Sequence, residues 1–337
     1  MAYEERVFEG LYCDLVRELQ VDFWLFRGVA NLRFLVSDTY PVDLGDGITI
    51  RGRSDSDLAS LGFDAAIWER ICEDWSGFGA SSFVLVVEHL VPKKPDNLIL
   101  MDTYQLSVKA LRAILALRLC NEGSIAIGPM WVVRASHFNV GIGGLSRIGA
   151  SIPTLGNPYR WAAELGEIYS PVYDALARLE KEEYRSATGN LSVALRAYTG
   201  SFDRWPTSLD SQLLDCITAL EALLGADTEI SFKLSFRVAS LLARNDNERS
   251  SLLKLIKDFY DTRSKVIHGT HLRPKHQDLL QRIDELRAIV RQLLRAFIRL
   301  SDANPPEYGK GFWQEKLDGA LVNAGEREKL RAALGLC

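Results

Sequence analysis

LKLIKDFYDTRSKVIHG, residues 253–269, decides how the second half of the chain reads. In an α-helix successive side chains lie ~100° apart. On that wheel Leu252, Leu255, Ile256, Phe259, Tyr260, Val266 and Ile267 share one face, with Lys254, Lys257, Asp258, Asp261 and Lys265 on the other. The spacing predicts an amphipathic helix over 249–268, stopped by Gly269. Two residues break the pattern. Arg263 projects near the centre of the apolar face, and His268, ~140° from it, stands at the helix end.

The same period recurs on both sides. It predicts helices at 160–185, 190–202, 207–224, 229–244 and 278–301, with shorter ones at 313–323 and 326–334. Pro305 and Pro306 end the last long helix. The helix at 207–224 follows Pro206, has Thr207 and Asp210 at capping-box spacing, and meets Gly225. Its apolar arc includes Glu221. In ISFKLSFRVASLL, 230–242, Arg237 stands at the edge of the Ile230, Leu234, Val238 and Leu241 stripe. An unpaired buried charge costs several kcal/mol, so Glu221, Arg237 and Arg263 are expected to pair across neighbouring helices.

The first ~150 residues differ, with short β-branched and aromatic runs between turn residues. These are VDFWLF (21–26), NLRFLVSD (31–38), GITIRGR (47–53), FVLVVEHLV (83–91) and IAIGPMWVV (125–133), with one helical run at 104–120. The Gly/Ser-rich stretch 141–158 lacks a complete phosphate-loop signature and reads as a loop or linker. The expected fold class is therefore α+β. A strand-rich mixed domain (1–150) precedes an all-α bundle (160–303) and a helical extension (304–337).

Composition narrows the function classes. The chain has 337 residues, 25% of them charged, and a net charge of −4, so nothing global attracts nucleic acid or anionic membrane. A polyanion site must be a local basic patch. Five scattered cysteines without a CxxC pair are expected to be reduced, as in a cytoplasmic protein. No HExxH occurs, so neither a metal nor a cofactor is expected. The acidic start, MAYEERVFEGLYCDL, does not read as a signal peptide, and no apolar run approaches the ~20 residues of a membrane span.

The remaining chemistry lies with Arg263 and His268. Carbonyls at a helix C-terminus favour imidazolium, which holds a histidine near its reference pKa of ~6.5. A proton-transfer group beside a guanidinium suits phosphodiester cleavage: one moves protons, the other stabilises charge on the phosphate. RNA supplies its own nucleophile, the 2′-OH.

RSKVIH, residues 263–268, fits the Arg-x4–6-His motif of HEPN domains, all-α modules of many RNA-cleaving toxins and defence proteins. Three blocks resemble the ApeA-like branch: LLDCITALEALL (213–224), SFKLSFRVA (231–239) and YDTRSKVIHG (260–269). The resemblance covers roughly residues 190–300. It implies a metal-independent endoribonuclease acting in anti-phage defence or as a toxin, working as a homodimer on RNA and released by a phage-derived trigger. Under it Arg263 polarises the phosphate and positions the 2′-OH. His268 is general acid or base, Glu221 joins the catalytic set, and a 2′,3′-cyclic phosphate results. Many HEPN nucleases carry Asn, Asp or His directly after the arginine; here it is Ser264. Tyr260, Ser264 or His268 of the partner subunit would complete the acid–base pair. The alternative within the family is a non-catalytic dimerisation or RNA-binding module under a ligand-sensing N-terminal domain.

Two basic groups are candidate RNA contacts. Arg287, Arg291, Arg295 and Arg299 form a drifting stripe beside an apolar seam of Leu279, Ile283, Leu286, Val290, Leu293, Phe297 and Leu300 that suits helix packing or dimerisation. Lys265, His271, Arg273, Lys275 and His276 cluster after the motif, with Arg237 a further supporting candidate. Trp161, Trp205 and Trp313 read as packing residues rather than base-stacking ones.

Overall fold

The computed structural model describes residues 23–33, 35–37, 41–54, 83–92, 99–135, 144–146, 158–180, 189–203, 208–225, 228–303 and 310–336, with Glu9, Ala66 and Arg70. Cys13, Cys72, Cys337, Trp205, Thr207 and the Pro305–Pro306 pair fall outside them, as do the side chain of Trp313 and most of the first fifteen residues. The chain is α+β and divides into two compact units. Unit one is Met1–Leu117 with Gly123–Ser170; unit two is Arg118–Glu122 with Pro171–Cys337.

The first unit holds β1 (Phe23–Arg33), β2 (Leu35–Ser37), β3 (Val42–Gly45), β4 (Ile48–Gly52), β5 (Phe83–Pro92), β6 (Ala126–Ala135), β7 (Gly144–Ser146) and β8 (Tyr159–Trp161). Six form one antiparallel sheet in the order β3-β4-β5-β1-β6-β7, and β2 pairs β8 in parallel. Burial alternates along β3 but is continuous over Val84–Val87 of β5. An edge strand keeps one wet face, whereas the inner strand is covered on both. Helix α1 (Ile99–Cys120) buries Leu106, Ala110, Ala113 and Leu117 at helical spacing, and its last residues belong to the second unit.

Three sequence expectations shift here. The runs at 21–26 and 31–38 merge into one long strand, β1, followed by β2. Part of the presumed linker, Gly144–Ser146, is a strand on the edge of the sheet. The helix expected from residue 160 begins later, because Tyr159–Trp161 pairs with β2; it runs as α2, Gly166–Leu179.

The second unit is helical: α3 (Gly189–Asp203), α4 (Leu209–Leu224), α5 (Ile230–Leu242), α6 (Asp246–Ile267), α7 (Pro274–Leu280), α8 (Ile283–Ala303), α9 (Lys310–Val322) and α10 (Ala324–Ala333). Helix α4 is central and packs on α3, α5, α6 and α8. Its Leu213, Cys216, Ile217, Leu220 and Leu224 are all fully buried. The capping box lies at Ser208 and Ser211 rather than at Thr207 and Asp210. The expected 278–301 helix is two, broken by the Gln281–Arg282 turn. The α8 seam is spent inside the chain: Ile283, Leu286, Val290, Leu293 and Phe297 are buried without a partner subunit. Trp161 is buried at 6% exposure, a packing residue in contact with Tyr169. No helix among the described residues is long and apolar enough to cross a membrane.

Candidate functional site

Helix α6 carries Tyr260, Arg263 and Ser264 and ends at His268. Asn245 caps its start by accepting the Glu248 N–H at 2.9 Å, with Asp246 and Glu248 on the positive end of the helix dipole. Its far end closes in a Schellman motif. The Thr270 N–H reaches the Lys265 carbonyl at 2.9 Å and the Gly269 N–H reaches that of Val266 at 3.1 Å. Gly269 has φ +63°, the left-handed conformation expected of the stop residue. The carbonyls expected to face His268 are thus largely taken by the turn, and the His268 N–H itself bonds Ser264 O at 3.1 Å. The imidazole is exposed.

The buried arc of α6 centres on Phe259, with Ile256 and Thr262 beside it. Arg263 projects ~40° from Phe259, between Phe259 and Ile256 and so within the buried arc, yet its side chain is 26% exposed. Thr262 is fully buried although polar, because both its needs are met. Its hydroxyl donates to the Asp258 carbonyl at 2.8 Å and lies 2.9 Å from Nδ1 of buried His276. A hydroxyl has one proton, so once it is given to Asp258 the oxygen accepts from His276 Nδ1–H. Burial, then Lys265 and Lys275, hold His276 below the usual histidine range. This pair, fourteen residues apart in sequence, pins α7 to α6.

The Arg263 guanidinium lies 3.5 Å from a Glu221 carboxylate oxygen, the two side chains 26% and 24% exposed. It also faces the Tyr260 ring at 5.6 Å. Its Nε is buried and unpartnered. Burial, then the nearby Glu221 carboxylate, hold the Tyr260 phenol above the usual tyrosine range, against the pull of Arg263. Glu221, Tyr260 and Arg263 thus come together, half-exposed, with a guanidinium that has spare donors. His268 is five residues further on, ~7.5 Å from Arg263 along the helix axis.

Arg237 does not join them. It is 1% exposed and donates to the Leu224 carbonyl at 2.6 Å, the Gly225 carbonyl at 2.9 Å, and Asp318 at 2.5 and 3.2 Å. It ties the C-terminal end of α4 to α9 and presents no surface to RNA. The expected three-member network is a two-member one, because Asp318 and the helix-end carbonyls claim the second arginine.

The other candidates divide likewise. Arg287 is buried, bonded to Gln212 at 2.7 Å, to the Ser201 carbonyl at 3.2 Å and to Asp284. Arg287 and Arg118 each lie 4.5 Å from the Phe202 ring, and Arg118 is held by Asp203 at 2.6 and 2.8 Å. The basic stripe therefore loses its first member to the core. In the 265–276 cluster His276 is inside and Lys275 pairs with Asp258 at 2.8 Å. His271 and Arg273 are exposed and Lys265 half-buried, so these three remain at the surface near His268. Asp318, Asp203 and the Thr262–His276 pair were not legible from the sequence, since each partner lies across the fold.

Among the described residues no group of three or more His, Cys, Asp or Glu gathers as a metal ion would need. Compared with known families, curated proteins and solved structures, the chain matches no family model, no curated protein and no solved structure.

Proposed function

We propose that the chain is a metal-independent endoribonuclease of HEPN type, with Arg263 and His268 as its catalytic pair. The observation that carries this reading is the contrast among the arginines. Arg118, Arg237 and Arg287 are buried and multiply bonded, while Arg263 is half-open, loosely paired and five residues from an exposed histidine. The resemblance of residues 213–269 to HEPN domains supports the same pair.

The chemistry runs as transesterification. The ribose 2′-OH gives its proton to a base as its oxygen attacks the adjacent phosphorus. The bond to the 5′-oxygen breaks, and an acid protonates that leaving group. Arg263 stabilises the charge on the non-bridging oxygens. Glu221 and Tyr260 keep the guanidinium in place, and a phosphate displaces the 3.5 Å carboxylate contact at little cost. His268 moves the proton. A dimer, which the resemblance implies, would bring His268 of the partner subunit as the complementary acid or base. Lys265, His271 and Arg273 would hold flanking phosphates. A cytoplasmic RNA target and a defence role under a phage-derived trigger belong to the same reading.

End chemistry tests it. With chelator present, the full chain should cut single-stranded RNA to leave 2′,3′-cyclic phosphate and 5′-hydroxyl ends, and spare DNA of the same sequence. Cleavage of that DNA, or 3′-hydroxyl ends, would refute the 2′-OH route. The second reading, a non-catalytic RNA-binding or dimerisation module, draws on the Arg263–Glu221 pair itself, which neutralises the guanidinium. Binding of RNA without any cleavage would favour it.

A further inference from the structure

Along α8, Arg291, Arg295 and Arg299 follow one another at four-residue spacing, ~6 Å apart along the axis. With Ile289 of the same helix and Leu334 and Leu336 beyond α10 they line a cavity of about 410 Å³. That lies within the ~300–1,000 Å³ of small-molecule sites. None of its lining residues belongs to the Arg263 site.

The far wall is held in place. Helix α10 closes on Gly335, φ +63°, with the Leu336 N–H on the Arg331 carbonyl at 2.9 Å. Arg331, 7% exposed, donates to the Leu336 carbonyl at 3.0 Å and to that of Ala243. A Cβ on Gly335 would stand 3.3 Å from an Arg299 terminal nitrogen, so the glycine leaves room for that guanidinium.

Among the described residues these charges have little compensation, and no carboxylate of theirs lines the cavity. Arg291 shares only a 3.8 Å contact with Glu122, itself 81% exposed. Among the described residues no carboxylate pairs with Arg295 or Arg299. Burial, then the guanidinium groups of Arg299 and Arg291, push Arg295 below the usual arginine range. Three like charges in one row repel one another, and a bound anion removes that repulsion.

We propose that this cavity binds a phosphate-bearing small molecule of nucleotide size, its phosphates on Arg295 and Arg299 and its less polar part beside Leu336 and the edge of Ile289. A compact ligand fits better than a nucleic-acid strand. The next arginine in the row, Arg287, is buried and fully engaged, so the basic track stops at the cavity. The proposal is independent of the nuclease reading.

Calorimetric titration of the full chain with ATP, inorganic pyrophosphate and a single-stranded oligoribonucleotide tests it. ATP should bind saturably, and Arg295→Gln and Arg299→Gln should each weaken it about tenfold or more. Lys329→Gln, on the exposed face of α10, should leave binding unchanged. The unliganded Arg295→Gln variant should melt no lower than the parent, which separates lost binding from lost folding. Three results would overturn the proposal: neither ATP nor pyrophosphate binds; both bind the double variant as well as the parent; or only the oligoribonucleotide depends on Arg295 and Arg299.

Discussion

Arg237→Met and Arg263→Met should separate an arginine that holds the fold from one that is free to act. Methionine keeps the aliphatic stem and removes the guanidinium in both. At position 237 the loss strands the Leu224 and Gly225 carbonyls, which the guanidinium meets at 2.6 and 2.9 Å. One buried unsatisfied carbonyl costs about 1–3 kcal/mol, and breaking a buried ion pair about 3–5. Asp318 is 48% exposed and returns to water, which places the total near the lower end, about 3 kcal/mol. At position 263 a half-exposed pair 3.5 Å apart is lost, worth about 0.2–1 kcal/mol. For a helical unit of this size each kcal/mol moves the melting temperature by roughly 2–4 °C. Melts followed by far-ultraviolet circular dichroism should therefore show a drop of about 6–12 °C for Arg237→Met and under about 4 °C for Arg263→Met. Equal drops, or the reverse order, would refute the division of roles.

Stability should also fall at alkaline pH. Burial pushes the Cys120 thiol up to about 12, the Tyr198 phenol up to about 12 and the Cys216 thiol up to about 11, from 9.0, 10.0 and 9.0 respectively. A raised folded pKa contributes stability that is complete below the unfolded value and lost as pH rises through the folded one. The urea midpoint should thus hold to about pH 8 and decline from about pH 9 upward; a midpoint unchanged to pH 11 would contradict the burial of these groups. On the acid side His276, held below its reference of 6.5, binds protons more readily unfolded, so stability should fall as pH drops below that value. His276→Gln should flatten this part of the urea-midpoint profile, and an unchanged slope would count against the Thr262–His276 pairing.

Much of the helical unit was legible because its signals are local. Periodicity, an N-cap and a C′ glycine lie within one helix, so the α6 stop at Gly269 and the central α4 emerge from adjacent residues. Glu221 and Arg263 could be matched because each interrupts an apolar face, and interruptions on neighbouring helices seek one another. What stayed hidden depends on the tertiary fold. Arg237 reaches Asp318 across 81 residues and Arg118 reaches Asp203 across 85, distances over which no periodicity carries information. The arginine row on α8 reads as one stripe in sequence. Tertiary packing divides it, since Ser201, Gln212 and Phe202 take Arg287 while the turn after α10 walls in the rest. The helix wheel also overstated the apolar face of α6: Thr262, polar by composition, is the residue buried, because its hydroxyl finds partners on both sides.

The central claim is that Arg263 and His268 act together on RNA, and the rate of RNA cleavage by folded variants tests it most directly. Single-turnover cleavage by the full chain should fall about 100-fold or more for Arg263→Met and for His268→Ala. Both variants should retain their helical circular dichroism. Cleavage at the parental rate by either folded variant would contradict the account.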